Sequence, residues 1–145
     1  MFLDQSTCQE ILQFMKKLIL SILPVVMLFT AGCASTGNNY LEASDFADYL
    51  KRDGLPVSSV RVIPAEPFYA SSAVAIQVGE SEIGVYKFDR TSKNQKKRLD
   101  KLAETKRTHI SGIPYPVEVR GSFMFFGLEK NKHKRAIMET MKKFY

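Results

Sequence analysis

From residue 40 onward, apolar positions recur first at spacings of three and four and then of two, and each change of spacing marks a new element. Ala43, Phe46, Ala47 and Leu50 line one face of a helix predicted over residues 40–52. Asn39 and Glu42 have the spacing of a capping box, Lys51 and Arg52 suit the negative end of the helix dipole, and Gly54 is a natural stop. Residues 57–63 then alternate as a strand, with Val60 and Val62 on the face opposite Arg61, until Pro64 and Pro67 end it.

The period of two is clearest in residues 72–78 and 81–88, which flank Gly79-Glu80. Glycine in first place suits a type II′ two-residue turn. That register sets Ile76 opposite Ile83 and Val74 opposite Val85, all on one face. The other face carries Ala73, Ala75, Gly84, Tyr86 and Phe88, where small residues make room for aromatic ones. With both faces apolar, this hairpin belongs at the centre of a sheet.

A second helix is predicted over residues 92–106, with Gln95, Leu99, Leu102 and Ala103 as a narrow inward stripe. Residues 109–113 read as a short strand, and Pro114-Tyr115-Pro116 as a rigid corner with a cis bond before Pro116 as an option. A second hairpin joins residues 116–120 and 123–127 through Gly121-Ser122. Val117, Val119, Met124 and Phe126 share one of its faces; Phe123 and Phe125 share the other with Glu118 and Arg120. A last helix over residues 132–144, capped by Asn131, packs Ile137, Met141 and Phe144. The order helix, three strands, helix, three strands, helix predicts a single small α+β domain. Its antiparallel sheet consists of two hairpins plus extra strands, with about three helices packed on it.

The chain ahead of this domain follows a different pattern. Lys16 and Lys17 precede an uncharged apolar run over residues 18–29, and the small residues Thr30, Ala31 and Gly32 lead to Cys33. Positive, then apolar, then small is the layout of a secretory signal. The run is shorter than the roughly 20 apolar residues that span a bilayer core, and Pro24 interrupts its helical hydrogen bonding. Asp4 and Glu10 place acidic charge where a signal is basic, so translation is expected to start at Met15.

Phe29-Thr30-Ala31-Gly32-Cys33 resembles the lipobox of bacterial lipoproteins, with Thr30 where that pattern prefers an aliphatic residue. The resemblance covers residues 15–35 alone. It implies cleavage between Gly32 and Cys33, a diacylglyceryl group on the Cys33 thiol, and an acyl chain such as palmitate on the new amino terminus. It divides the chain into a signal-peptide helix over residues 1–32, a lipidated terminus and polar tether over 33–39, and a soluble domain over 40–145. The alternative is an uncleaved transmembrane anchor, since residues 18–41 carry no charge. Ala34 and Ser35 follow Cys33 without the aspartate that holds many enterobacterial lipoproteins in the inner membrane, so the outer membrane is expected in a Gram-negative cell.

Charge and cysteine content then change the picture in two ways. The net charge of +6 stays with the mature part, because Lys16 and Lys17 balance Asp4 and Glu10 in the part removed. A basic domain in the periplasm or at the cell envelope has anionic partners within reach: phospholipid headgroups, lipopolysaccharide, peptidoglycan carboxylates or nucleic acid. Of the two cysteines, Cys8 is lost on cleavage and Cys33 is lipidated, which leaves no disulfide.

Candidate catalytic chemistry is thin. His109 and His133 are the two histidines, and HExxH, CxxC, GxSxG and glycine-rich phosphate loops are absent from the sequence. No enzyme, metal site or cofactor is expected. The helix over residues 92–107 is strongly basic, and Lys93, Lys96, Lys97, Arg98 and Lys101 are candidates to face an anionic surface together. Lys132, Lys134 and Arg135 form a second cluster at a helix start, where positive charge is locally unfavourable and hints at an anionic ligand. The expectation is an anchored lipoprotein whose domain is a binding or assembly module for an envelope component or envelope protein. The alternative is a binder of anionic polymers or nucleic acid through residues 92–107, with Tyr115, Phe123 and Phe125 as candidate stacking groups. Nucleic acid is the less favoured partner.

Overall fold

The computed structural model describes residues 37–144, together with Gln13. The signal layout, the Met15 start, the Gly32–Cys33 cleavage site and the lipidated Cys33 lie outside the described residues.

Three two-residue turns build the sheet. Gly79, at φ +61°, joins β2 (Ser72–Val78) to β3 (Ser81–Lys87). The predicted register holds there, with Ile76 opposite Ile83 and Val74 opposite Val85. Gly121, at φ +56°, joins β5 (Ile113–Arg120) to β6 (Phe123–Phe126). The third turn is Ser111-Gly112, at φ +51° and +79°, both positive as a type I′ turn requires. It joins β4 (Arg107–Ile110) to β5. The predicted short strand and proline corner are therefore one hairpin, and no described peptide bond is cis.

The two prolines fit in a strand because of where their nitrogens point. Tyr115 lies opposite Thr108, and the Val117 N–H donates to the Lys106 carbonyl at 3.0 Å, so odd-numbered residues face β4. Pro114 and Pro116 point the other way, beyond Phe126, the last β6 residue to pair with β5. No ladder hydrogen bond is lost.

β3 and β6 meet antiparallel, with Val85 opposite Phe125, and the edge strand β1 (Val57–Val62) pairs with β2. The strand order is β1-β2-β3-β6-β5-β4 in one six-stranded sheet. The chain is α+β, as its pattern predicts. Helices cover both faces. α1 (Asp45–Arg52) and α3 (Lys134–Lys143) cover one, where Phe46, Leu50, Ile137 and Met141 meet Ile76, Ile83, Phe123 and Phe125. The Phe46 ring sits edge-on to Phe125 and Phe144, at 4.8 and 5.1 Å between centroids. α2 (Lys93–Thr105) covers the other, packing Leu99 and Leu102 with Ala73, Tyr86, Phe88, Val117 and Met124. Tyr86 lies over Gly84, where a Cβ would come within 2.9 Å of its ring. Burial of that phenol, with Glu82 near it, raises its pKa.

Two local readings change. α1 begins at Asp45 rather than residue 40, because Asn39 caps nothing. Its carboxamide is taken by the Arg90 N–H and the Ser122 hydroxyl, at 3.0 and 3.1 Å. Asn38, assigned from the sequence to the tether, is buried in the domain. It donates to the Phe144 carbonyl at 2.8 Å and accepts from the Ser122 N–H at 2.7 Å. α3 likewise begins at Lys134. Asn131 accepts from the His133 N–H at 2.8 Å and donates to the Val78 carbonyl at 3.1 Å, tying the helix approach to the β2–β3 turn.

Candidate anion-binding surface

α2 starts where the chain leaves β3. Asp89 organises the approach: the Thr91 hydroxyl and N–H donate to its carboxylate at 2.7 and 2.9 Å, and the Asn39 amide at 3.3 Å. These bonds hold its pKa below the ordinary 3.8. The helix ends at Lys106, in the left-handed conformation at φ +52°, whose N–H caps the Leu102 carbonyl at 2.9 Å. β4 follows at once.

Leu99 and Leu102 point α2 at the sheet, and the 3.6-residue period then sorts its charges. Arg98 and Lys101 fall on the flank shared with Asn94 and Thr105, which holds no acid. Asp100 falls towards the opposite flank with Lys96, and Glu104 falls with Lys93 and Lys97 on the outward face. Lys96 accordingly pairs with Asp100 at 2.8 Å. Lys93, Lys97, Arg98 and Lys101 make no ion pair among the described residues.

The acid-free flank faces β4 across a pocket of about 210 Å³ lined by Arg98, Lys101, Leu102, Thr108 and His109. Thr108 is buried and His109 exposed. The Arg98 guanidinium lies over the Tyr69 ring, 4.3 Å from its centroid. A cation over a ring face in this way keeps its N–H groups able to donate. Arginine, lysine and histidine around one concavity suit an anionic oxygen group such as phosphate.

The second predicted cluster is different. Lys132 pairs with Glu80, Lys134 with Glu129 at 2.7 Å, and Lys142 with Glu139 at 2.7 Å. Arg135 alone of the three candidates makes no ion pair among the described residues, although with Lys142 its charge helps to hold the Glu139 pKa down. Neighbouring carboxylates thus answer the positive charge that the sequence presents as unmet. Of the candidate stacking groups, Phe123 and Phe125 are fully buried, and Tyr115 is half-buried against Phe126 at 5.7 Å. His133 sits half-buried at the start of α3, where a Cβ on Gly79 would come 3.0 Å from its Nε2. Among the described residues no group of three or more His, Cys, Asp or Glu is placed to hold a metal ion.

Sequence reasoning missed one part of this surface, the β4–β5 hairpin that forms the far wall of the pocket. Ser111-Gly112 between two isoleucines was its signal, masked by the prolines that follow. Comparison with known proteins finds no matching family model, no similar curated protein and no similar solved structure. Among the described residues, no helix is long and apolar enough to cross a membrane.

Proposed function

We propose that the chain is a membrane-anchored envelope lipoprotein whose small basic domain is a binding module for an anionic envelope component. The anchor is supported by the lipobox-like Phe29-Thr30-Ala31-Gly32-Cys33 and the charged, apolar and small segments that lead to it. With Ala34 and Ser35 after the cysteine, the proposed address is the outer membrane where the cell has one. The single observation that carries the module is the acid-free flank of α2, where Arg98 and Lys101 meet His109 over a shared pocket. Asn38 adds a distance: four residues separate Cys33 from the buried asparagine. Even extended, that stretch reaches about 18 Å, which holds the domain against the lipid surface.

Mass spectrometry of the membrane fraction tests the anchor. The wild-type chain should begin at Cys33 with its lipid attached, and Cys33→Ser should carry none. An uncleaved, unlipidated wild-type chain would refute it. Binding of the full chain to anionic vesicles, peptidoglycan and DNA, with and without Arg98→Glu and Lys101→Glu, tests the module. Salt-sensitive binding lost on charge reversal is the expected result. A second reading, an anionic-polymer or nucleic-acid binder, draws on Lys93, Lys97 and Lys101, all exposed along α2. DNA binding without vesicle or peptidoglycan binding would favour it.

A further inference from the structure

The tip of the β4–β5 hairpin adds something the basic flank does not explain. Ile110 and Ile113 are direct cross-strand partners at the turn and are 39% and 56% exposed. By the period of two they share a face with Thr108, the buried wall of the pocket. Moving outward from α2, the surface therefore changes from cations to a pair of large apolar side chains. Single exposed apolar residues are common on any protein. Two of them paired on a turn, beside an acid-free row of cations, are an amphiphilic arrangement.

The pocket gives the scale of the ligand. At about 210 Å³ it is smaller than the roughly 300–1,000 Å³ that encloses a whole small molecule, so it fits one anionic group of something larger. The chain path gives the orientation. Asn39 is hydrogen-bonded to Asp89, Arg90 and Ser122, so the segment arriving from Cys33 joins the domain beside Gly121. β5 runs from that turn back to Ile113, eight residues or about 26 Å at the rise of a strand. The point where the chain arrives and the isoleucine tip therefore lie at the two ends of one strand, with the basic flank of α2 between them. One flat surface along β5 can meet all three.

We propose that this face lies on an anionic phospholipid bilayer, with a lipid phosphate in the pocket of Arg98, Lys101 and His109 and with Ile110 and Ile113 seated at the headgroup–acyl boundary. The inference deepens the proposed function and rests on its reading of the basic flank. The depth required is that of other interfacial apolar groups, about 5–10 Å below the headgroups.

The chain contains no tryptophan, so Ile113→Trp installs a single fluorescent reporter at the tip. Val62→Trp, at an 85% exposed position on the opposite edge strand, is the control. The full chain carrying either reporter is mixed with vesicles of phosphatidylglycerol and phosphatidylcholine, or of phosphatidylcholine alone, with acyl chains brominated near the headgroup. The tip reporter should shift to the blue and be quenched in the phosphatidylglycerol vesicles, and the edge-strand control should do neither. Arg98→Glu with Lys101→Glu should abolish the response at the tip. Flotation of wild-type and Cys33→Ser chains, run in parallel, reads the anchor separately. A chain that floats through Cys33 while the tip reporter stays unquenched overturns the inference and leaves the anchor standing. A chain that fails to float through Cys33 while the tip reporter responds to anionic lipid removes the anchor and leaves the inference standing. A tip response that survives charge reversal overturns the phosphate pocket, and one equal in both vesicle types overturns the choice of an anionic bilayer.

Discussion

Replacing Asn38 with alanine should destabilise the domain out of proportion to the size of the change. The side chain is 1% exposed and connects two elements distant in sequence. Its Nδ2 donates to the Phe144 carbonyl, the C-cap of α3, at 2.8 Å, and its Oδ1 accepts from the Ser122 N–H in the β5–β6 turn at 2.7 Å. Ser122 and Phe144 are themselves buried. Alanine leaves one backbone donor and one backbone acceptor unpaired, and each orphaned group costs about 1–3 kcal/mol. The expected loss is about 2–6 kcal/mol, a large share of the roughly 5–15 kcal/mol that holds a domain folded. With a urea slope of about 2 kcal/mol per molar, the midpoint should fall by about 1–3 M. Urea unfolding followed by circular dichroism reads this directly. Asn38→Asp keeps the acceptor for Ser122 but loses the donor to Phe144 and buries a charge, so it should be no better than alanine. A midpoint for Asn38→Ala within experimental error of wild type would refute the reasoning, because water would then be reaching both backbone groups.

Other outcomes follow from neighbouring geometry. Gly121→Ala meets two obstacles, a φ of +56° and the Asn38 Oδ1, which stands where the new Cβ would go. Its cost should exceed the roughly 1–2 kcal/mol of the left-handed conformation alone and shrink towards that figure in an Asn38→Ala background, as a double-mutant cycle in urea would show. Phe125→Ala removes a fully buried ring from between Phe46 and the sheet and should cost about 3–5 kcal/mol. Val62→Ala, at the exposed edge, should stay within about 0.5 kcal/mol by the same assay. Asp53 closes α1 onto α3, accepting from the Thr140 hydroxyl at 2.7 Å and from the Lys143 ammonium at 3.0 Å, and those bonds hold its pKa below 3.8. A depressed folded pKa gives stability that is present above pH 3.8 and lost as pH falls through the lower folded value. Asp53→Asn should therefore flatten the acid limb of a plot of urea midpoint against pH, and leave unchanged the slope above about pH 5.

How far the sequence could lead depended on whether the decisive partner was near or far along the chain. The β2–β3 register was legible because Gly79 sets a two-residue loop and the alternation on either side admits one pairing. The β4–β5 hairpin was not, because Pro114 and Pro116 read as strand breakers until it is known that β6 stops at Phe126, so no ladder position calls for the N–H that proline lacks. The two basic clusters divide the same way. On α2 the period of the helix alone groups Arg98 and Lys101 with Asn94 and Thr105 and turns Asp100 away, so an acid-free flank can be counted from the sequence. At the start of α3, Lys132 is answered by Glu80, fifty-two residues earlier, because Asn131 ties that approach to the β2–β3 turn. The aromatic residues follow suit: Phe123 and Phe125 read as candidate stacking groups until α1 and α3 are placed over the central strands. A charge cluster read from sequence is therefore strongest as a candidate site where its acids lie on the same element. By that criterion the flank of α2 is the surface to probe first.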